Sequence, residues 1–329
     1  IIEEHEAVRK KCGVFDVSHM GEVLIKGKEA TSFINHIFTN DVQNLAVGKV
    51  MYGMMCYDDG GTVDDTCICR LAKEKFLMTI NAANIDKDID WIKTNATDYN
   101  VDIEHLSDYY GQLAIQGPDS EAIITEVLGI PCQDLHFYEV KALHKDDEEI
   151  IISRTGYTGE DGFELYGSHQ FIILQWDKLV SSGRCKPCGL GCRDTLRFEV
   201  GLPLYGNELS VEISPIMAGL GMFVKLEKSE FIGREALIRQ KTEGVIKCLR
   251  GIELDENAIP RHGYNVLQNG TVVGQVTTGY RLISTNRSCA VALVDASLKL
   301  GDRVEIQIRK KTFPGTIVKK KFYEKHYHQ

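Results

Sequence analysis

Apolar residues recur at helical spacing in several short stretches of the chain. In segment 30–38, for example, Phe33, Ile34 and Ile37 fall on one face of a helix. The residues between them are mostly polar, which is typical of a helix that packs one face against a core. The same spacing predicts helices over 1–11, 30–38, 85–96, 120–128, 171–180 and 190–200.

Between these segments, alternating or continuous apolar runs are bounded by turn residues, which is the pattern of β-strands. Strands are predicted over 22–26, 51–57, 62–71, 76–81, 101–106, 111–116, 148–154 and 163–166. From about residue 246 onward, short strands and turns predict a separate all-β module. The pattern therefore predicts an α+β fold with a C-terminal β-barrel-like domain.

The composition is that of an ordinary globular protein and excludes several function classes. Hydrophobic residues make up 43% and charged residues 26% of the 329 residues, and the net charge is −9. An acidic protein lacks the global positive field of a nucleic-acid binder. No apolar run approaches the roughly 20 residues that a membrane span needs. We therefore expect neither nucleic acid nor a membrane as a partner.

Two adjacent aspartates lie inside the predicted strand 62–71, where Asp is disfavoured. Strand alternation places Asp65 on the more apolar face and Asp64 on the opposite face, which is expected to meet solvent. A carboxylate aimed at the interior is costly unless it is paired or used in chemistry. Asp65 is therefore a candidate catalytic residue, and the alternative is that it only pairs with the neighbouring turn. Asp64 is expected to be structural.

A glycine-punctuated loop over 154–162 joins two predicted strands and can bring backbone close to a ligand. It lacks the strand–loop–helix context and the Lys of a phosphate-binding loop. Glu164 follows this loop and alternates to the same side as Tyr166. A buried Glu there can pair with an amino-pyrimidine edge or with an Arg. The alternative is a surface Glu on a strand.

Arg193 lies at the start of the predicted helix 190–200. An Arg in that place can bind a carboxylate through two hydrogen bonds, and the helix N-terminus adds to the favourable field. The alternative is a surface ion pair, either of Arg193 with Asp194 or of Arg197 with Glu199. The pattern alone leaves both interpretations open.

Three cysteines, Cys185, Cys188 and Cys192, are spaced like part of a metal motif. Zinc or an iron–sulfur cluster normally needs a fourth ligand at a recurring spacing, and the chain has no second Cys-x-x-Cys. We therefore expect no metal. The ten cysteines are expected to be reduced thiols.

The C-terminal end is locally basic within an acidic chain. The basic residues there are Arg309, Lys310, Lys311, Lys319, Lys320, Lys321 and Lys325. They are either solvated strand faces or a docking patch for an acidic protein partner. His326 and His328 are expected to be exposed histidines of the tail.

Taken together, these motifs resemble the aminomethyltransferase (T-protein) family of the glycine cleavage system. The resemblance covers nearly the whole chain, and the ordered set is specific although each motif is weak alone. The matching segments are FDVSHM at 15–20, GGTVDD at 60–65, NAAN at 81–84, QGP at 116–118, the loop and strand at 154–164, GCRDTLR at 191–197 and GLPLYG at 201–206.

The resemblance implies a three-domain cloverleaf around a central folate channel. The folate-binding domain would combine residues 1–20 and 108–240, and an inserted α+β (ferredoxin-like) domain would span 21–107. A C-terminal β-barrel domain would span 241–329. The family usually begins further upstream, so its first strand is expected to be missing here. Met217 stands where the family often has Glu.

The resemblance also implies folate-dependent one-carbon transfer. In that family the H-protein presents an aminomethyl group on a lipoyl arm, and N5 of tetrahydrofolate attacks the methylene carbon. The products are 5,10-methylenetetrahydrofolate, ammonia and dihydrolipoyl H-protein. Asp65 matches the catalytic Asp, Glu164 the acid that holds the pterin's amino-pyrimidine edge, and Arg193 the Arg that binds the glutamate tail. The residues implied to line the folate channel are Tyr52, Asn81, Tyr138, Tyr157 and Tyr205.

Two other functions stay open at this point. One is a related tetrahydrofolate-dependent enzyme that demethylates an O- or S-methyl substrate and needs no lipoyl carrier. The other is a folate-binding accessory protein without transfer activity, which the retained Asp65 disfavours. The compartment implied by the resemblance is the cytoplasm of a bacterium, or the mitochondrial matrix if the source is eukaryotic.

Overall fold

The computed structural model describes residues 1–146 and 148–327. Its helices are α1 (Ile2–Lys10), α2 (Ala30–Ile37), α3 (Ile85–Thr94), α4 (Ser120–Ile123), α5 (His169–Ser181), α6 (Leu190–Glu199) and α7 (Arg234–Glu243). A π-helical turn, Ile124–Leu128, extends α4, and 3-10 turns cover Ala82–Asn84 and Gly221–Phe223. All six helices predicted from the hydrophobic spacing are present.

The predicted strands are present in the predicted order along the chain, together with strands that were not predicted. The strands are β1 (Gly13–Asp16), β2 (Gly21–Lys26), β3 (Val50–Cys56), β4 (Thr62–Ala72), β5 (Lys75–Ile80), β6 (Asp102–His105), β7 (Tyr110–Gln116), β8 (Val140–Lys145), β9 (Glu148–Ser153), β10 (Gly162–Ser168), β11 (Lys186–Pro187), β12 (Lys247–Leu254), β13 (Asn265–Gln268), β14 (Thr271–Arg281), β15 (Ser288–Asp295), β16 (Arg303–Ile308) and β17 (Lys311–Val318). The pattern does not predict β8 or α7. Val140 is the one buried residue of β8, and α7 buries only Ala236 and Leu237, so neither shows a strong period.

A five-stranded antiparallel sheet is covered on both faces. Its strand order is β3-β4-β5-β2-β6. On one face, α2 and α3 bury residues such as Phe33 and Ile92 against Ile68 of β4. On the other face, Cys69 of β4 packs in a cluster with Tyr166 of β10. The sheet therefore has an interface on each side rather than one solvent face.

A six-stranded sheet packs against the face of the five-stranded sheet that carries Cys69. Its strand order is β11-β1-β7-β10-β9-β8, and its pairs are antiparallel except β1 with β11. Phe171 and Leu179 of α5 pack on Leu113 and Ile115 of β7, on the face away from the five-stranded sheet. The loop 154–161 joins β9 to β10 and lies at one end of this sheet.

The last strands form a closed barrel in the order β12-β15-β14-β13-β16-β17. Its interior is filled by apolar side chains such as Ile252, Val266 and Ile306. A separate cluster joins the barrel to α6 through Phe198, Val291 and other residues. The predicted α+β class with a C-terminal barrel is confirmed. The predicted domain boundaries stay a prediction.

Candidate active site

A cavity of about 870 Å³ is lined by both open sheets and by the start of α6. Segments 201–205 and 220–223 and the tail residues Lys325 and Tyr327 complete its wall. Its volume lies in the usual range for small-molecule sites, roughly 300–1,000 Å³. The residues that the sequence singled out all line this cavity: Tyr52, Asp65, Asn81, Tyr138, Tyr157, Glu164, Arg193 and Tyr205. The structure thus brings the eight together, and their individual roles stay predictions.

Asp65 on β4 is oriented by two donors, one for each carboxylate oxygen. The Tyr52 hydroxyl donates to Oδ2 at 2.8 Å, and Asn81 Nδ2 donates to Oδ1 at 3.1 Å. Burial and the negative charge of Asp64 raise the pKa of Asp65 to about 7, against the opposing effect of these hydrogen bonds. The carboxyl group can therefore exchange a proton near neutral pH while its orientation is fixed.

The prediction that Asp64 faces solvent is wrong. Asp64 is fully buried, and its carboxylate accepts hydrogen bonds from Asn81 and Asn84. The cause is the double coverage of the five-stranded sheet, because the face that carries Asp64 lies under α2 and α3. Alternation separates two faces of a strand, but it does not say whether the second face meets water or another element.

Glu164 on β10 belongs to a polar network in the cavity wall and is not a surface residue. Gln112 Nε2 donates to Glu164 Oε1 at 3.2 Å and to the Tyr166 hydroxyl at 3.1 Å. The Thr155 hydroxyl donates to Glu164 Oε2. Each carboxylate oxygen thus has one protein donor and keeps a second lone pair for a ligand. This geometry suits the recognition of adjacent N–H groups on a planar ring.

Arg193 on α6 is not in the ion pair that the alternative interpretation expected. Asp194 accepts a hydrogen bond from Arg197 Nε at 2.7 Å and one from the Tyr280 hydroxyl. Arg193 instead lies over the ring of Tyr157, with 4.7 Å from its guanidinium carbon to the ring centroid. Its Nη1 is buried and has no hydrogen-bond partner in the described parts of the chain. A cationic donor in this state favours an anionic ligand group.

The second alternative, a surface pair of Arg197 with Glu199, is also wrong. Arg197 is fully buried and forms an ion pair with Glu208 at 2.7 Å, in addition to its bond with Asp194. Glu199 pairs instead with Arg9 at 3.1 Å. The two residues are two positions apart on α6, so their side chains point in different directions. They join α6 to different neighbours.

The tyrosine rings of the cavity are fixed through their hydroxyl groups. The Tyr157 hydroxyl donates to the Pro203 carbonyl, and the Tyr205 hydroxyl donates to the Thr62 carbonyl at 3.2 Å. Tyr52 meets Phe223 edge to face, with 4.9 Å between ring centroids. Rings held in this way can stack on a flat heterocycle with little loss of rotamer entropy.

Tyr138 has a backbone conformation that non-glycine residues rarely adopt, with φ of 65°. Its backbone is held on both sides, because Tyr138 N–H donates to the Arg154 carbonyl and Val50 N–H donates to the Tyr138 carbonyl. A bulky residue in such a conformation costs free energy, and such residues cluster at functional sites. The hydrophobic pattern carries no signal of this feature.

Several cavity residues are missed by the reasoning from sequence. They are Gln112, Phe137, Thr155, Tyr166, Phe223, Lys325 and Tyr327. Tyr166 has a signal because it alternates to the side of Glu164, Thr155 because it lies in the glycine-punctuated loop, and Lys325 because it belongs to the basic C-terminal residues. Tyr327 stacks on Phe137 with 4.2 Å between ring centroids, and no local pattern could pair residues this far apart. The tail therefore contributes to the cavity, although its composition predicts either solvated strand faces or a docking patch.

The tail histidine His326 and the cysteines other than Cys67 lie outside the cavity wall, whereas Cys67 on β4 lines the cavity. The His326 side chain is 56% exposed, as expected, but Nδ1 also lies 3.3 Å from Glu160. His328 lies outside the described residues. All ten cysteines are free thiols. Ligand atoms of Glu4, Cys188 and Cys192 lie within 4.8 Å of one another outside the cavity, and the expectation of no bound metal stays a prediction.

Family models match most of the chain. The model described as the GCVT N-terminal domain matches residues 1–228. The model described as the glycine cleavage T-protein C-terminal barrel domain matches residues 247–324 and therefore includes every strand of the closed barrel. The chain belongs to the glycine cleavage T-protein family. The T-protein resemblance noted from the motifs is confirmed.

Relatives that align over nearly the whole chain agree with this T-protein assignment. The aminomethyltransferase of Thermoanaerobacter sp. (strain X514) is 46% identical over 332 residues, and that of Lysinibacillus sphaericus (strain C3-41) is 45% identical over 330 residues. Each alignment covers 99% of this chain and 90% of the relative. The crystal structure of glycine cleavage system aminomethyltransferase T from Bartonella henselae gives a TM-score of 0.95 at 29% identity, and it covers 100% of this chain and 91% of that chain.

Within the described part of this T-protein family member, none of the helices is both long enough and apolar enough to cross a bilayer.

Proposed function

We propose that the central cavity holds tetrahydrofolate and that Asp65 is its catalytic carboxylate. The chain is an aminomethyltransferase of the glycine cleavage system. One observation carries the proposal for the site. A single cavity unites the oriented carboxyl group of Asp65, whose pKa is raised to about 7, a second carboxylate in Glu164, and Arg193, whose Nη1 has no hydrogen-bond partner among the described residues.

The polar groups of the cavity match the parts of tetrahydrofolate. Glu164 accepts hydrogen bonds from the amino-pyrimidine edge of the pterin, because its two oxygens keep lone pairs directed at neighbouring N–H donors. Arg193 binds the carboxylate of the glutamate tail. Tyr52, Tyr138 and Tyr157 provide ring faces for the pterin and the aminobenzoate group.

The carrier of the one-carbon group is the lipoyl-bearing H-protein. Its aminomethyl-dihydrolipoyl arm must reach the cavity from outside. Leu190 and Met222 line the cavity and are 60% and 73% exposed, so they offer an apolar rim to the arm. The proposed partners are therefore the H-protein and tetrahydrofolate. The proposed compartment is the bacterial cytoplasm, or the mitochondrial matrix if the source is eukaryotic.

In the reaction, N5 of tetrahydrofolate attacks the methylene carbon and ammonia leaves. N10 then bonds to the same carbon as its bond to the lipoyl sulfur breaks, and the protons released from N5 and N10 balance those taken up by ammonia and the sulfur, which gives 5,10-methylenetetrahydrofolate and dihydrolipoyl H-protein. Asp65 orients the reactive nitrogens of the folate and takes up or releases a proton at its carboxyl group. The hydrogen bonds from Tyr52 and Asn81 hold both of its oxygens in place during this exchange. Fixed orientation and a pKa near the working pH are the two properties that favour such catalysis.

The direct test supplies tetrahydrofolate and aminomethylated H-protein and measures ammonia and methylenetetrahydrofolate. Asp65→Asn is expected to lower turnover by roughly 10²–10⁴-fold, the usual contribution of an acid–base group, while folate binding is largely kept. Asp58→Asn, in the exposed turn beside the same strand, is the matched control and should keep normal turnover. Unchanged turnover in Asp65→Asn would contradict its role, and methylated folate formed without ammonia would point to a demethylase.

A further inference from the structure

Asp64 is buried behind the cavity wall and is surrounded by N–H donors. The backbone N–H of Asn81 donates to Asp64 Oδ2 at 2.9 Å. The side-chain Nδ2 atoms of Asn81 and Asn84 donate to Asp64 Oδ1 at 2.8 Å and 2.9 Å. Asp64 does not line the cavity itself, whereas Asn81 and Asp65 do. It therefore touches the candidate site through Asn81.

The two aspartates determine how the Asn81 amide is turned. The oxygen and nitrogen of an Asn amide have nearly the same shape, so the hydrogen-bond partners decide which atom faces which side. An ionised carboxylate only accepts, so Nδ2 must face Asp64 at 2.8 Å and Asp65 at 3.1 Å. The amide carbonyl then faces away from both carboxylates. Asn81, which lines the cavity, thus holds Asp65 through its nitrogen and keeps its carbonyl oxygen as an acceptor for another partner.

Asp64 also acts on Asp65 through its charge. The groups that face Asp65 are Tyr52 on β3, Asp64 and Cys67 on β4, and Tyr157 in the loop before β10. Behind Asp64, α3 adds Asp88, which is buried and lies 2.9 Å from Lys87. After burial itself, the charge of Asp64 is the largest cause of the raised pKa of Asp65.

We propose that Asp64 is a positioning residue for the active site: it fixes the Asn81 amide so that the nitrogen holds Asp65 and the carbonyl faces away from both carboxylates. The inference rests on the proposed function, because it assigns Asp64 a part in the reaction of Asp65. Asp64 itself does not contact the reacting atoms. It acts by fixing the orientation of the Asn81 amide and by its negative charge next to the Asp65 carboxyl group.

Asp64→Asn changes the hydrogen-bond pattern at almost constant shape. The new amide has one acceptor oxygen and brings two N–H groups toward the donors of Asn81 and Asn84. The backbone N–H of Asn81 cannot turn, so we expect the new amide to place its oxygen at the Oδ2 position and its nitrogen at the Oδ1 position, toward the side-chain nitrogens of Asn81 and Asn84. Because two donors cannot bond to each other, the Asn81 amide is then expected to turn its carbonyl toward residue 64. Its nitrogen then leaves Asp65. The loss of a neighbouring negative charge also lowers the pKa of Asp65.

The first experiment measures kcat, KM for tetrahydrofolate and the pH profile of the reaction in the wild-type protein, Asp64→Asn and the control Asp58→Asn. We expect kcat of Asp64→Asn to fall by roughly tenfold or more, as for a lost hydrogen bond to a charged group, with KM nearly unchanged. The limb of the profile that depends on Asp65 should move to lower pH, because the lost charge of Asp64 lowers the pKa of Asp65 by more than the lost Asn81 hydrogen bond raises it. Asp58→Asn should match the wild type. A lower kcat with an unmoved pH profile would reduce Asp64 to a structural residue and overturn the proposal.

A second variant keeps the proposal testable if Asp64→Asn does not fold. Asn81→Leu removes the amide and leaves Asp64 intact. It should lower kcat by roughly tenfold or more on its own. Where Asp64→Asn does fold, the double variant should lose no more than the larger of the two single losses, because both changes break the same link. Full kcat in Asn81→Leu would overturn the proposal.

A third measurement does not depend on the transfer reaction. Carbon-13 NMR of labelled aspartate carboxyl groups, assigned with Asp65→Asn, follows the titration of Asp65 in the wild type and in Asp64→Asn. The titration midpoint should be lower in the variant, and equal midpoints, like an unmoved pH profile, would overturn the proposal. If the Asp65 midpoint shifts as expected but the wild type transfers no one-carbon group, the proposed function fails, and what stands is the link from Asp64 to Asp65 without its part in the reaction.

Discussion

Replacing Glu22 by Gln is expected to stabilise the protein by an amount that grows with pH. Glu22 lies on β2 opposite Thr79 and is fully buried. Both of its side-chain oxygens have no hydrogen-bond partner in residues 1–146 and 148–327. Burial raises the pKa of Glu22 from 4.5 to about 8, because the carboxylate loses its hydration. Gln keeps the size of the side chain and removes the titration.

The sign and size of the effect follow from the proton balance of folding. Below pH 4.5, Glu22 is protonated in the folded and the unfolded chain, and its contribution to stability is fully present. As pH rises from 4.5 to about 8, the unfolded chain releases this proton and the folded chain keeps it, so the free energy of unfolding falls. At 1.36 kcal/mol for each pH unit the upper bound is about 5 kcal/mol. Hydration of the carboxyl group through local relaxation lowers this, and we expect about 2–3 kcal/mol.

The assay is urea unfolding of the wild type and Glu22→Gln at about pH 5 and about pH 8.5, on the two sides of the transition. Glu74→Gln is the matched control, because Glu74 is exposed in the turn between β4 and β5 of the same sheet. The control should show the same difference from the wild type at both pH values. If the difference in free energy of unfolding between Glu22→Gln and the wild type is the same at both pH values, Glu22 does not keep its proton in the folded state and the reasoning fails.

Three further predictions address binding and packing. Arg193→Ala should weaken tetrahydrofolate binding roughly 10–100-fold in titration calorimetry, as for a lost hydrogen bond to a charged group. The affinity for a pterin without the glutamate tail should not change, and an unchanged affinity for tetrahydrofolate would contradict the role of Arg193. Gly156→Ala should lower the free energy of unfolding by about 1–3 kcal/mol, because the added Cβ would lie 2.0 Å from Gln116 Oε1, and an unchanged thermal midpoint would contradict this. If the basic C-terminal residues dock the H-protein, its apparent affinity should fall steeply with added salt, and a flat response would exclude that role.

The hydrophobic pattern predicts the elements of this fold where each element has a strong period of its own. The six predicted helices and the barrel follow from local spacing, since a helix or strand buries the face that its pattern defines. Edge strand β8 and the largely charged α7 bury too few apolar residues for such a signal. The T-protein family assignment came from ordered motifs rather than from periodicity, and the family models confirm it.

The candidate site could be predicted only as far as single strands and motifs carry information. Alternation on β10 correctly places Glu164 with Tyr166, because that statement concerns one strand. The contact of the tail residue Tyr327 with Phe137 depends on how distant segments meet, and a local pattern cannot contain it.

The burial of Asp64 next to the candidate site could not be predicted from the sequence. A polar residue on the second face of a strand predicts solvent exposure only if that face is open, and here it is covered by α2 and α3. The burial of Asp64 is compensated by Asn81 and Asn84, which look like ordinary turn residues after β5. The group of Asp64, Asn81 and Asn84 therefore becomes recognisable only in the structure, where the turn after β5 lies against β4. The same turn after β5 places the Asn81 nitrogen 3.1 Å from Asp65. The turn that buries Asp64 therefore also links Asp64 to the candidate catalytic carboxyl group.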